Sequence, residues 1–480
     1  MNKINNERNL TMLMDFYELT MANGYFNGKH EGKRVVFDMF YRSIPDKGGF
    51  VIAAGLEQFV EYIQDMHFRE EDIDYLKNKK LFSEDFLEFL KTFKFTGNIF
   101  AVPEGTIVYP NTPIVTIEAP LVEAQLIETM LLLTINHQSL IATKANRIVK
   151  AAKGKPVMDF GARRAHGYDA AVYGSRAAYI GGVAATATTL SDELFGIPSV
   201  GTMAHSWVQY FGSDYEAFKA YATAYPSSCT LLVDTFNVLE SGIPNAIRVA
   251  KEILEPQGER LKGIRLDSGD LAYLSKETRK MLDESGMSDC KIIASNSLDE
   301  YLIQDLFLQG AMIDTFGVGE NLITSKSNPV FGGVYKLVAV KEKETYSPRI
   351  KVSENIEKII NPCFKRLYRV YDEHNIGIFD FIAKYDETID IKSLKLVDQK
   401  KPWKQIEVKD TWTIKEMHQQ IFKDGHLVYD LPSLDEIRKY TENELTKVWD
   451  EEKRFQNPHL HYVDLTEELY KIKQDLLNKS

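Results

Sequence analysis

The chain has 480 residues, 44% of them hydrophobic and 26% charged, with a formal net charge of -11. That is the composition of a soluble globular protein, and it is too long for one ordinary core, so two or three domains are expected. The acidic balance argues against nucleic acid or an anionic membrane as the main partner, because no large basic field draws phosphate backbones in; a small anionic substrate needs only a local cluster of Arg and Lys.

The first region, residues 1–124, reads as an α+β domain. Its start, MNKINNERNLTMLMDF, lacks the continuous apolar core of a secretory leader. TMLMDFYELTMANGYF carries apolar residues at helical spacing. Adjacent helical positions point about 100° apart, so burying Phe16 and Leu19 turns Tyr17 elsewhere. RVVFDMFYRSIP reads as a strand, and NIFAVPEGTIVYP and TPIVTIEAP follow as short β-branched runs punctuated by Pro, Gly and Asn. A small antiparallel sheet is the expectation.

The second region, 125–344, changes character. It opens on the most apolar helix-like stretch, EAQLIETMLLLTINHQSLIATKANRIVKAA, whose Glu128, Asn136, His137 and Lys144 mark a buried helix and not a membrane span. Short apolar runs then alternate with helical segments. The runs are PVMDFGARR, PSVGTMAHS, TLLVDTFN, GIRLDSGD, KIIASNS and IDTFGVGEN. Regular βα alternation means parallel strands with helices outside. A Rossmann sheet concentrates its glycine fingerprint after one early strand. Here a polar cluster follows every run, as in a barrel that builds its site from all its C-terminal strand ends. An irregular α/β barrel is therefore expected. The third region, 345–480, is charged, with two β-like runs, FKRLYRVYDE and IGIFDFIAKY, and then charged helices packing on the N-terminal domain. His459 and His461, in this tail, are expected to be solvated, and His137 to be core. Three scattered cysteines, Cys229, Cys290 and Cys363, support neither a disulfide framework nor a zinc site, and a reducing cytoplasm fits best.

The clusters that end the runs carry the chemistry together. MDFGARRAHG supplies Asp159, Phe160, Arg163 and Arg164, the arginines suited to phosphate oxygens. VDTFN supplies Asp234, and IRLDSGD supplies Arg265, Asp267 and Asp270. An acid at the rim of an apolar strand is costly to bury unpaired, so metal, arginine or a sugar hydroxyl must satisfy it. FGVGENLITS carries Gly317 and Gly319 and leads through Asn321 to Thr324 and Ser325, a late glycine loop of the kind that offers backbone N–H groups to phosphate. No lysine follows in Walker spacing. His205, in GTMAHSWVQ, is the only histidine expected at a strand end beside flexible residues. It is open to acid/base or nucleophilic work; metal ligation is least favoured, since no second His or Cys lies at ligand spacing.

In order along the chain, DFYELTMANGYF, FDMFYRSIP, MDFGARRAHG, GTMAHSWVQ, VDTFNVLESGIPNAI, IRLDSGDL, DTFGVGENLITS and GGVYKLVAV resemble the nicotinate phosphoribosyltransferase family, over roughly residues 9 to 340. The resemblance implies a type II phosphoribosyltransferase fold acting as a homodimer with shared sites. It implies synthesis of nicotinate mononucleotide and pyrophosphate from nicotinate and phosphoribosyl pyrophosphate. ATP would be hydrolysed alongside to ADP and phosphate, with Mg2+ carried on the phosphates and no protein-only metal site. On the same basis His205, Asp234 and Arg265 form the catalytic set, with His205 phosphorylated by ATP. Phe160 stacks on the pyridine ring, and Tyr17 from the partner stacks on its other face. Arg265 and Thr202 hold the carboxylate. Arg163, Asp267 and the loop from Gly317 through Gly319 to Thr324 hold the phosphoribosyl group, and Asp234 lies near ribose or magnesium. Nicotinamide and quinolinate enzymes of the same fold are the alternatives. A barrel aldolase lacks its Schiff-base lysine at any of these strand ends.

Overall fold

The computed structural model describes residues 8–355, 358–399, 401–403 and 408–479. The chain divides into two compact units, one made of residues 1–140 and 330–480 and the other of residues 141–329. Sequence reading put the divisions at 124/125 and 344/345. The first now falls inside one continuous helix, Glu128–Ala151. The second moves forward because the strand Gly333–Glu342 pairs along the whole of Arg34–Tyr41.

The first unit holds a seven-stranded antiparallel sheet. Its order is Thr345–Pro348, Gly333–Glu342, Arg34–Tyr41, Val115–Pro120, Asn98–Ala101, Gln419–Lys423 and His426–Leu427. This is larger than the small N-terminal sheet expected, because strands from the last third of the chain join both sides. Arg34–Tyr41 reads RVVFDMFY and is buried at every position but the first. A central strand covered on both faces needs such a run. The two β-like runs of the tail form a hairpin-like pair, Lys365–Tyr371 with Gly377–Lys384, in a five-stranded sheet. The charged end forms the helices Leu434–Thr446 and Glu467–Asn478, the first opened by a reciprocal Ser433–Glu436 capping box. His461 is not solvated. Its ring is 1% exposed and lies between Glu452 and Asp380, face to face with Tyr109.

The second unit is one parallel sheet with its crossover helices. In chain order its strands are β1 (Val157–Asp159), β2 (Ala185–Thr186), β3 (Thr230–Leu232), β4 (Gly263–Leu266), β5 (Lys291–Ser295) and β6 (Thr315–Val318). They pair in the order β2-β1-β6-β5-β4-β3, every pair parallel. The sheet curls into a half-barrel, which is the form the irregular barrel takes. Val157, Leu231, Ile264, Ile292 and Phe316 are almost wholly buried, as strands covered on both faces require. One expected strand is absent: PSVGTMAHS contributes only an isolated bridge, Ser199 to Thr186. His137 is half-buried on its helix and not a core residue.

Candidate active site

Polar residues collect where the strands of the half-barrel end. At the end of β1, Asp159 is 1% exposed and accepts hydrogen bonds from the Gly161 amide (2.8 Å), Ser175 Oγ (2.7 Å) and Thr186 Oγ1 (3.0 Å). Burial raises its pKa while these donors act in the opposite sense. A carboxylate so held braces the Phe160–Gly161 turn, and the Phe160 amide donates to Val318 O at 2.8 Å. The Phe160 ring lies against Gly317: a Cβ added there would stand 2.5 Å from two ring carbons. Gly317 is thus part of β6, and its missing side chain makes room for an aromatic face. A Cβ on Gly161 would likewise meet Ile323 at 2.5 Å.

Arg265, the third residue of β4, organises the centre. Its side chain is 13% exposed. Nε donates to Ser295 Oγ at 3.1 Å, Nη1 to Thr202 Oγ1 at 3.0 Å, and Nη2 to Asp267 Oδ1 at 3.3 Å. Ser295 in turn donates to the same Asp267 oxygen. The guanidinium carbon stands 5.8 Å from the centre of the Phe160 ring. A cation and an aromatic face are therefore presented side by side.

Asp234, two residues beyond β3, is the second organiser. Oδ2 accepts from the Asp267 amide (3.0 Å) and from Ser268 Oγ (2.6 Å). Oδ1 lies 3.3 Å from His205 Nε2; the aspartate side chain is 1% exposed and the histidine 39%. His205 does not end a strand. It opens the helix His205–Phe211 after the irregular stretch 200–204. Asp234 Oδ1 is buried without a hydrogen bond, so the acid faces one imidazole nitrogen at ion-pair distance only. An open cleft of about 520 Å³ is lined by Thr202–Ala204 and the rings of Trp207, Tyr210, Tyr221 and Tyr225.

Thr202, His205, Asp234, Arg265, Asp267 and Phe160 are thus joined by contacts, with Gly317 beneath Phe160. The remaining positions are looser. Arg163 is exposed on the one-turn helix Ala162–Arg164. Gly319 precedes the four-residue helix Glu320–Ile323, and the Thr324 hydroxyl donates to Glu320 O at 2.7 Å. Tyr17 belongs to the other unit, on the helix Phe16–Asn27, and is 43% exposed. Leu19 is buried as expected, but Phe16 is 45% exposed and meets Phe82 edge-on. In that unit Lys336 is crowded by Arg42 and Lys351; burial and these two cations lower its pKa against the pull of Glu128. Sequence reasoning missed Ser295 and Ser268. Ser295 was in sight, since it ends the run in KIIASNS.

Among the described residues no three His, Cys, Asp or Glu side chains gather as a set of metal ligands. Asp267 is 26% exposed beside Arg265.

Three family models match the chain. The nicotinate phosphoribosyltransferase N-terminal domain covers residues 12–136, the nicotinate phosphoribosyltransferase family covers 156–373, and the C-terminal domain covers 364–473. The chain is 44% identical over 477 residues to the nicotinate phosphoribosyltransferase of Bacillus subtilis (strain 168), covering 98% of this chain and 96% of that one. The crystal structure of human nicotinic acid phosphoribosyltransferase superposes with a TM-score of 0.84 at 27% identity, over 97% of this chain and all of that one. A nicotinate-nucleotide pyrophosphorylase from Pyrococcus furiosus shares the fold, with a TM-score of 0.70 at 24% identity over 92% of this chain and 97% of that one. Matched along nearly its whole length, the chain belongs to the nicotinate phosphoribosyltransferase family.

Proposed function

We propose that the protein joins nicotinate to phosphoribosyl pyrophosphate, releasing nicotinate mononucleotide and pyrophosphate, and that it hydrolyses ATP through a phosphohistidine at His205. One observation carries the reading. Arg265 holds Thr202 at 3.0 Å and stands 5.8 Å from the Phe160 ring. A fixed guanidinium beside an aromatic face matches an aromatic carboxylate, charge to charge and ring to ring.

The pyridine nitrogen attacks C1 of the ribose. A C–N bond forms and the bond from C1 to the pyrophosphate oxygen breaks, the electron pair leaving with pyrophosphate. The nitrogen lone pair is already free, so positioning between aromatic faces replaces a general base. Phe160 supplies one face and the partner subunit's Tyr17 the other. Arg163, Asp267 and the loop 317–324 hold the phosphoribosyl group. When bound on the phosphates, magnesium would supply charge neutralisation for the leaving group, and Asp267 would share it. Asp234 keeps His205 Nε2 protonated, and Nδ1 takes the γ-phosphoryl group of ATP as ADP leaves; water later returns the histidine. No described helix is long and apolar enough to cross a membrane.

The test is an assay for nicotinate mononucleotide with nicotinate, phosphoribosyl pyrophosphate and magnesium, with and without ATP. Product with nicotinate, stimulated by ATP, is expected. Faster turnover of nicotinamide or quinolinate would overturn the substrate. Activity indifferent to ATP, with no acid-labile phosphate on the protein, would overturn the coupling.

A further inference from the structure

Ser295 is the last residue of β5 and is 3% exposed. The sheet fixes its place from both sides. It pairs with Gly317 of β6, and the pairing of Ala294 with Leu266 brings it level with Asp267, one residue past β4. The chain then leaves the sheet at once. Asn296 and Ser297 take φ values of 88° and 52°, in the left-handed region that few non-glycine residues enter. Asn321 Nδ2 braces that turn, donating to Ser297 O and to Leu298 O at 3.0 Å each.

The side chain stands between two charges. A serine hydroxyl has one proton to give and lone pairs to receive. Here Oγ accepts from Arg265 Nε at 3.1 Å and gives its proton to Asp267 Oδ1. Arg265 Nη2 reaches the same Oδ1, but only at 3.3 Å. An arginine–carboxylate pair left to itself closes to about 2.7–2.9 Å, often through two parallel bonds. This pair is held open, with the hydroxyl bridging it. Both donors fall on Oδ1, which leaves Oδ2 for a ligand, and the guanidinium keeps its bond to Thr202 at 3.0 Å.

We propose that Ser295 is a positioning residue: its one buried hydroxyl keeps Arg265 and Asp267 from closing onto each other, and so aims the guanidinium at the carboxylate of the base and the aspartate at the phosphoribosyl group. This rests on the reading of Arg265 and Asp267 as the holders of those two groups, and Ser295 acts through them. Without the hydroxyl, Arg265 Nε loses its acceptor in a buried place, and the anion left beside the guanidinium is Asp267. Closing that pair would occupy both groups with each other.

The experiment measures kcat and both KM values of the full-length enzyme, with Tm alongside, for Ser295→Ala, Ser295→Thr, Arg265→Ala and the double Arg265→Ala/Ser295→Ala. Ser295→Ala should raise KM for nicotinate about tenfold, the value of one hydrogen bond to a charged group, and KM for phosphoribosyl pyrophosphate by several-fold. Ser295→Thr keeps the hydroxyl and should recover most of both losses. Arg265→Ala removes the group through which Ser295 reaches the base, so adding Ser295→Ala to it should cost nicotinate nothing more. Should Ser295→Ala fail to fold, Ser295→Cys, whose thiol is a weak donor and acceptor, carries the same comparison. If Arg265→Ala weakens nicotinate and Ser295→Ala does not, the positioning role is wrong and the reading of Arg265 stands. If Arg265→Ala leaves nicotinate unchanged, that reading fails and the positioning role with it. A further tenfold loss in the double variant would show that Ser295 acts on the base by some route other than Arg265 and would overturn the proposal. Equal damage by Ser295→Thr at unchanged Tm would do the same, since shape and not the hydroxyl would then matter.

Discussion

Arg265 gives the sharpest test of the substrate. A guanidinium has five N–H groups. Three are committed, to Ser295, Thr202 and Asp267. A fourth reaches Met203 O only at 3.5 Å, the outer limit of a hydrogen bond. One N–H on each Nη is therefore available, and two parallel N–H groups are what a carboxylate takes. Replacing Arg265 by Ala removes both, together with the compensating charge, in a site whose arginine is 13% exposed. Losing one partner of a buried charged pair costs about 2–5 kcal/mol, and the partial exposure favours the lower half, so nicotinate binding should weaken roughly 30- to 300-fold. Arg265→Lys keeps the charge and loses the fork, and should fall in between. Calorimetric titration of nicotinate and of phosphoribosyl pyrophosphate, with Tm followed alongside, reads the result. Nicotinate should suffer at least tenfold more than the sugar. Unchanged nicotinate affinity, or an equal loss for both ligands in a folded variant, would refute the assignment.

Asp234→Asn should abolish ATP stimulation and leave slow ATP-independent synthesis, because an amide facing His205 Nε2 offers a donor and inverts the tautomer; acid-labile phosphate on the variant after ATP treatment would count against it. Mixing Tyr17→Ala with Phe160→Ala subunits should recover toward half of wild-type activity per heterodimer, since one site regains both rings; exchange of subunits without recovery would place Tyr17 within its own chain's site. Glu18 is held by burial at a pKa of about 7, against an ordinary 4.5. A raised carboxyl means the folded state keeps its proton, so stability should fall as pH climbs from about 4.5 through 7, and Glu18→Gln should raise Tm at pH 8 by an amount worth at most about 3 kcal/mol while changing little at pH 5. At His461 burial disfavours the imidazolium, but Asp380 and Glu452 outweigh it and raise the pKa. Its contribution should be complete below about pH 6.5 and lost as pH rises through the raised value, and His461→Ala should cost about 3 kcal/mol at pH 6 by urea titration, with no loss there contradicting the buried ion pair.

What could be read from the sequence divides along one physical line. Strands covered on both faces must be continuous apolar runs, and those runs end where polar residues can reach solvent; hence PVMDF, TLLVD, GIRLD, KIIAS and DTFGV were legible, and with them Phe160, Asp234, Arg265 and Asp267. The strand Ala185–Thr186 was not, because two small residues at a sheet edge carry no periodic signal. PSVGTMAHS looked like the missing strand because Val200 sits among small residues, yet it makes only one bridge. His205, read at a strand end, opens a helix instead. Pairings between distant segments were invisible for a different reason. Nothing local in GGVYKLVAV says that it lies against RVVFDMFY, so the divisions between the units could not be read. The tail misled most. Its charges suggested solvent, but composition counts charges without saying which are partnered. Arg369 holds Asp380 at 2.7 and 2.9 Å, Tyr109 donates to Glu452 at 2.8 Å, and His461 closes the network from residues 81 and 9 positions away.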